Sequence, residues 1–232
     1  MLDVDFATET LARCRLFVGM EPGGLAALAR TLRTRRFRRG EVLFHQGDPG
    51  DALFIVLSGA VKVLLPSEEG DEAILATLVR GDFLGELALL DGAERSATAI
   101  ALEPTETLVL PRDRFRDLLG SQPALRDGLL AGLAAELRRL TKHVGELHFL
   151  DLTGRLAAGL VRLAEEQGRR QPDGTIQLDA PLTQSDLASM VGATRQSVNK
   201  LLGTFADEGL LRFDRDAIVI LDLPGLDRTS HR

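Results

Sequence analysis

The chain has 232 residues, 44% of them hydrophobic and 27% charged, with a formal net charge of -6. That is ordinary for a soluble globular protein and enough for one large domain or two modest ones. No apolar run approaches the roughly 20 residues of a membrane span, the opening MLDVDFATETLARCR lacks the apolar stretch of a signal peptide, and the lone Cys14 can form no internal disulfide, so a cytoplasmic protein is expected.

In chain order, EPGGLAALARTLRTRR (21–36) reads as a short helix. From about Phe37 to Leu110, short β-type runs follow one another: EVLFHQGDPG, DALFIVLSGAVKVLL, PSEEGDEAILATLVRGD and ATAIALEPTETLVLP. Gly47, Gly50, Gly59, Gly70, Gly81 and Gly92 fall between those runs, where a turn often needs positive φ. Short strands at such spacing predict a small antiparallel barrel or roll.

One stretch of that roll, GDFLGELALLDGAERSATAIA (81–101), reads as sheet and turn, yet holds Glu86 behind a glycine and Arg95 before Ser96 and Ala97. Their neighbours are apolar: Phe83, Leu84, Leu87, Leu89, Leu90 and Ile100. Burying a charge costs several kcal/mol or so unless it is paired or hydrogen-bonded. The plain solutions are an internal Glu86–Arg95 salt bridge or a solvated hairpin; the other is a pocket in which a ligand partners both groups. A carboxylate accepts from a sugar hydroxyl, and an arginine with an adjacent hydroxyl clamps a phosphate. A cyclic nucleotide carries both features.

From about Pro123 to Leu150 the period changes. Leu130, Leu133, Leu137, Leu140, Val144 and Leu147 alternate spacings of three and four, the a/d seam of a coiled coil. A helix packed only on its own domain is one reading; the narrow seam, flanked by Arg138, Arg139, Lys142 and Glu146, favours pairing with a second copy.

DLTGRLAAGLVRLAEEQG then reads as a helix ending at Gly168, followed by a polar RRQPDG and a strand TIQLDA. Thr183, with Asp186 at the capping-box position, starts a helix TQSDLASMV; Gly192 turns the chain, and Thr194 caps RQSVNKLLGTFADE. Two strands, LLRF and AIVILDL, flank the turn DRDA. Helix, tight turn, helix and hairpin make a winged helix-turn-helix. Its second helix presents Thr194, Arg195, Gln196 and Ser197 on the leading turn and Asn199 and Lys200 one turn later. Arg195 suits guanine O6 and N7, Gln196 suits adenine, and Thr194 and Lys200 suit phosphates. Val198, Leu201, Leu202 and Phe205 are expected to face the domain. Net acidity does not overturn this motif, because a local basic patch matters more than the total.

FHQGDPGDALFIVLSGAVKV, GELALLDGAERSATA, VGELHFLDLTGRLA and LTQSDLASMVGATRQSVNKLL together resemble the cyclic-AMP receptor protein (CRP/FNR) superfamily of bacterial transcription regulators, over nearly the whole chain. The resemblance implies an α+β protein: a cyclic-nucleotide-binding β-roll (1–122), a dimerisation helix (123–150) and a winged helix-turn-helix DNA-binding domain (151–232). It implies that Glu86 bonds the ribose 2′-hydroxyl, flanked by Gly85 and Leu87, and that Arg95 and Ser96 hold the cyclic phosphate. Where cyclic-AMP binders meet adenine with a Thr-Ser pair, this chain has Leu140 and Thr141, a departure at the base-contacting positions. Cyclic AMP is the expected effector, with cyclic GMP, another ligand or none as alternatives. The implied partners are double-stranded DNA, a second copy of the chain and RNA polymerase, with Thr183 joining the DNA-facing residues. A nucleotide module acting on a partner protein is the alternative from another class. Where well-known members have Arg-Glu, this chain has Arg195-Gln196, which predicts an altered base beside the guanine. His45, His143 and His148 lack ligand spacing, and no catalytic order or metal motif stands out, so neither an enzyme nor a metal protein is expected.

Overall fold

Asp3 caps the first helix, its carboxylate accepting from the Asp5 and Phe6 N–H groups, and α1 runs Val4–Arg13. This computed structural model describes residues 3–178, 182–214 and 217–231. After a 3-10 turn at Arg15–Phe17 comes α2 (Pro22–Thr31). The sequence expectation of helix through residue 36 is corrected here: Arg33–Phe37 is strand β1, paired antiparallel so that Arg33 faces Val109 and Phe37 faces Thr105. No apolar side chain stands between Leu32 and Phe37 to give a helix a buried stripe, whereas Phe37 reaches the core as a strand residue.

The roll continues with β2 (Val42–Phe44), β3 (Ala52–Ser58), β4 (Val61–Pro66), β5 (Glu72–Leu78), β6 (Phe83–Leu84), α3 (Glu86–Asp91), β7 (Thr98–Ala101) and β8 (Thr105–Pro111). Its strands form two sheets, ordered β1-β8-β3-β6 and β2-β7-β4-β5. Ala52 to Leu57 of β3 are all buried because its two faces serve different clusters. Leu53, Ile55 and Leu57 join Leu11, Phe17, Leu108, Leu110, Phe115 and Leu125, while Phe54 and Val56 join Phe37, Leu43, Val61, Leu84 and Ala99. A period of two divides one strand between two cores.

Then α4 (Arg112–Ser121) leads into α5 (Pro123–Phe149). The first turns of α5 bury Leu125 and Leu129; of the seam, Leu130, Leu137 and Val144 stay about two-thirds exposed (65%, 66% and 64%), Leu147 is also exposed, and Leu133 and Leu140 are half-buried. Two compact units divide along this helix: Met1–Ser67 with Ile74–Arg138, and Glu68–Ala73 with Arg139–Arg232.

The second unit contains α6 (Leu152–Gln167), β9 (Gly168–Arg170), β10 (Ile176–Leu178), α7 (Gln184–Val191), α8 (Arg195–Asp207), β11 (Leu211–Asp214), β12 (Ala217–Ile220) and α9 (Leu223–Ser230). Buried Glu146, near the end of α5, accepts from Arg162 of α6 at 3.0 and 3.2 Å with His143 3.5 Å away. Burial alone would raise its pKa, but His143 and Arg162 hold it below the usual range. The polar stretch after Gly168 begins with a strand, because Arg169 and Arg170 pair with Gln177 and Ile176. The strand AIVILDL stops at Ile220, where Asp222 caps α9 through the Gly225 N–H. Asp179, Ala180, Pro181, Arg215 and Asp216, the ends of the expected strand and hairpin turn, lie outside the described residues.

Candidate functional site

The loop after β2 and the segment before β7 meet as an antiparallel pair. Gly47 N–H donates to the Arg95 carbonyl (2.9 Å), Arg95 N–H donates to the Asp48 carbonyl (2.8 Å), and Pro49 bridges to Glu94. Gly50 is needed for space rather than for its backbone angle, since a Cβ there would collide with the Ala88 Cβ on α3. Gly85 needs both: its φ is +89°, and a Cβ would collide with the Arg95 Nη1. Glu86–Asp91, expected as sheet and turn, is the six-residue helix α3, with Ala88 and Leu89 buried and Leu87 and Leu90 exposed. A helix this short shows too few apolar repeats to be told from a turn.

Arg95 is 4% exposed. Its Nη1 donates to the Gly85 carbonyl (2.8 Å), its Nη2 to the Ala52 carbonyl (2.6 Å), and the guanidinium lies 4.4 Å from the Phe44 ring centroid. Asp51 is 3.8 Å away, but its side chain is 92% exposed, so this pair is weak. Nε is buried without a hydrogen-bond partner. Burial lowers the guanidinium's proton affinity, Asp51 and Glu86 oppose that, and the group stays charged.

Glu86 begins α3, half-buried. Burial pushes its carboxyl above the usual range; its own N–H lowers it, Glu136 raises it further and Arg95 lowers it. Among the described residues no ion pair joins Glu86 to Arg95, so the internal salt bridge is not how these charges are satisfied. Ser96 is exposed beside Arg95. A carboxylate that can accept a hydroxyl and a guanidinium with a hydroxyl next to it therefore stand at either end of one short helix-and-turn segment. Leu140 and Thr141 lie on α5 in the second unit, Leu140 half-buried and Thr141 exposed.

Arg112 is a positioning residue that local sequence does not reveal. Its Nε and Nη2 both donate to the Gly50 carbonyl, the former at 3.0 Å, and Nη2 also reaches the Ala88 carbonyl at 3.2 Å. It ties the glycine loop to α3 from 62 residues beyond Gly50 and 24 beyond Ala88.

In the second unit the capping box is complete: Asp186 N–H donates to Thr183 Oγ1 (3.1 Å) and Thr183 N–H to Asp186 Oδ2 (2.9 Å). Gly192, at φ +64°, turns the chain into α8, where Ser197 N–H donates to Thr194 Oγ1 at 3.2 Å. Arg195, Gln196, Asn199 and Lys200 are exposed, Ser197 is half-buried, and Val198, Leu202 and Phe205 are fully buried while Leu201 is half-buried. Thr183 and Thr194 spend their hydroxyls on the caps as well as standing at the leading edge. Gln184 was not singled out by the sequence, yet its Nε2 donates to Asn199 Oδ1 at 3.1 Å and joins the two helices. Arg195 and Lys200 have no ion pair among the described residues.

Cys14 is buried, and desolvation pushes its thiol up to about 12, which leaves it unreactive. Among the described residues no group of three His, Cys, Asp or Glu side chains could hold a metal ion, and no helix is long and apolar enough to cross a membrane.

The profile of the cyclic nucleotide-binding domain matches residues 34–122, and that of the Crp-like helix-turn-helix domain matches residues 154–229. The chain is 36% identical over 222 residues to a CRP-like cAMP-activated global transcriptional regulator of Mycobacterium tuberculosis, covering 96% of this chain and 99% of that protein. It is 36% identical over 180 residues to the cAMP-activated global transcriptional regulator CRP of Escherichia coli, covering 77% and 84%. The solved structure of a CRP/FNR-family transcriptional regulator from Thermus thermophilus superposes with a TM-score of 0.71 at 31% identity, over 86% of this chain and 99% of that one.

Proposed function

The chain belongs to the CRP/FNR family of transcription regulators, as a cyclic-nucleotide-binding, DNA-binding protein, and we propose that it is a cytoplasmic homodimer whose roll binds cyclic AMP. Its relatives are transcriptional regulators, not enzymes. In this reading Glu86 accepts the ribose hydroxyl, Arg95 and Ser96 hold the cyclic phosphate, and Gly85 and Leu87 shape the loop between them. The boundaries proposed are a nucleotide domain over 1–122, a dimer helix over 123–150 and a DNA-binding domain over 151–232.

The observation that carries the reading is the state of the two charges: Glu86 is desolvated and Arg95 is buried with an unmet N–H, yet they are not bonded to each other. A ligand with a hydroxyl and one negative phosphate offers what each lacks. The exposed leucine and valine seam of α5 supplies the dimer face. Two copies of α8, set about 34 Å apart, then enter successive major grooves of a near-palindromic site. Ligand acts by population shift, binding better to the dimer with that spacing. RNA polymerase is the proposed partner at promoters. Gln196 in place of an acidic residue places a base other than the family's beside the guanine read by Arg195.

Leu140 favours one second reading, in which cyclic GMP or another anionic ligand is the effector, because it lacks the hydroxyl that adenine binders present. Calorimetry of the purified protein with cyclic AMP and cyclic GMP, followed by selection of binding sites from random duplexes with the tighter complex, tests both. Stoichiometric cyclic AMP binding that tightens a dimer on a two-fold site is the expected result. No heat with either nucleotide, or selection of no sequence, would refute the proposal.

A further inference from the structure

Two guanidiniums flank Gly50. A Cβ placed on that residue would lie 3.5 Å from the Arg95 Cζ and Nη1, while Arg112 donates to the Gly50 carbonyl from Nε at 3.0 Å and from Nη2. Arg112 Nη2 also reaches the Ala88 carbonyl at 3.2 Å, and the Arg112 N–H donates to the Asp51 carbonyl at 2.8 Å. Arg112 is half-buried. Its side-chain hydrogen bonds among the described residues end on backbone carbonyls, and no carboxylate there pairs with it. Its charge opposes that of Arg95: Arg112 lowers the proton affinity of Arg95, while Asp51, Glu86 and Asp48 raise it. Asp51, 3.8 Å from Arg95 with its side chain 92% exposed, compensates little of this. Bridging two carbonyls explains the fork of Arg112. It does not explain why a half-buried charge, costly to desolvate, stands without a carboxylate beside a second guanidinium.

We propose that Arg112 is a positioning residue for the phosphate end of the nucleotide: it holds the Gly50 loop on α3 and sets a second positive charge behind Arg95, which the phosphate neutralises. The inference rests on the reading of the roll as a nucleotide site with Arg95 as its phosphate clamp. The loop that hangs from Arg112 at Gly50 pairs with the Arg95 segment through Gly47, Asp48 and Pro49, so the anchor and the clamp belong to one unit. In a site this desolvated a charge acts through several ångströms with little screening, and Arg112 need not touch the ligand to strengthen its binding. An anion between the loop and Arg95 also relieves the repulsion of the two guanidiniums. The effect is one of charge, so an anionic nucleotide should feel it and a neutral nucleoside should not.

The test uses the full chain and two substitutions that separate charge from hydrogen bonding. Arg112→Gln keeps a donor for a carbonyl and loses the charge; Arg112→Lys keeps the charge and loses the fork. Affinities for cyclic AMP and for neutral adenosine are measured by calorimetry over a range of salt, with denaturant unfolding alongside. The Gln variant should bind cyclic AMP about tenfold more weakly and with a flatter salt dependence, while its affinity for adenosine stays within about twofold of the unaltered protein. The Lys variant should recover most of the cyclic AMP affinity and the full salt dependence. Equal weakening for nucleotide and nucleoside in the Gln variant would overturn the proposal, since Arg112 would then serve the fold alone. A Gln variant that binds cyclic AMP normally, or a Lys variant as weak as the Gln one, would overturn it too. If the Gln variant does not fold, the Lys variant still decides, because a flattened salt dependence there contradicts a role for the charge. If the unaltered protein binds no cyclic AMP, or Arg95→Ala binds it undiminished, the nucleotide reading itself fails first, and the two failures are distinguished.

Discussion

The proposed nucleotide site and the proposed reading helix use arginine in opposite ways. Arg95 is 4% exposed, packed on Phe44 and bonded to two backbone carbonyls, so its position is set before any ligand arrives. Arg195 is exposed, without an ion pair among the described residues, on a helix whose buried side is held by Val198, Leu202 and Phe205. A buried guanidinium is part of the fold, and its removal leaves other groups unmet; a solvated one can be removed at little cost to stability. The ligand site should therefore be fragile and the DNA face tolerant.

Four changes would sharpen or break that contrast. The largest effect is expected from Arg95→Ala, which removes the proposed phosphate clamp and strips the Gly85 and Ala52 carbonyls of their donor. Ligand-dependent DNA binding should vanish, with about 1–3 kcal/mol lost for each acceptor left unsatisfied. Denaturant unfolding and nucleotide titration read the two losses separately, and a fully stable, ligand-responsive variant would refute the site. Arg195→Ala, as the control, should weaken DNA binding and leave the denaturation midpoint within error of the unaltered protein.

Gly85→Ala comes next. A Cβ there would meet the Arg95 guanidinium in a left-handed backbone, so a stability loss of about 2 kcal/mol is expected together with weaker nucleotide binding. Thermal unfolding with and without nucleotide measures both.

Glu86 gives the contrast a pH axis. Its folded carboxyl lies above the usual range, so its stabilising effect on the unliganded protein is present below the ordinary carboxylate pKa and is lost as pH rises through the elevated value. A ribose hydroxyl donates to the ionised form, so nucleotide binding should release a proton. Affinity should climb by up to about tenfold per pH unit below that elevated value and level off above it. Calorimetry in buffers of different ionisation enthalpy detects the proton, and in Glu86→Gln the slope should disappear.

The smallest change is expected from Thr194→Ala. It removes the oxygen that accepts from the Ser197 N–H, and a cap of this kind is worth about 1 kcal/mol. Only the second unit should be destabilised, while nucleotide binding is retained.

The elements that could be read in advance are those whose signals are local. The helical period of α5, the Thr183–Asp186 capping box, Gly192 and the Thr194 cap are written locally, and these helices stand where the spacing placed them. The elements misread are short or held by distant partners. Arg33–Phe37 is a strand because β8 supplies its hydrogen bonds from more than sixty residues away, and α3 is too short to show a period. The helices α1, α4 and α9 carried no signal that the sequence reading used.

The chemistry of the site divides in the same way. Residue types and order alone identified Glu86, Arg95 and Ser96 as the groups to watch, because charges among apolar neighbours demand partners at any fold. Only the tertiary structure decided what those partners are: Arg95 turns to the Ala52 and Gly85 carbonyls instead of Glu86, and Arg112 fastens the Gly50 loop to α3. Hydrogen bonds between segments far apart in the chain leave no local pattern, since their geometry exists only after the strands have packed.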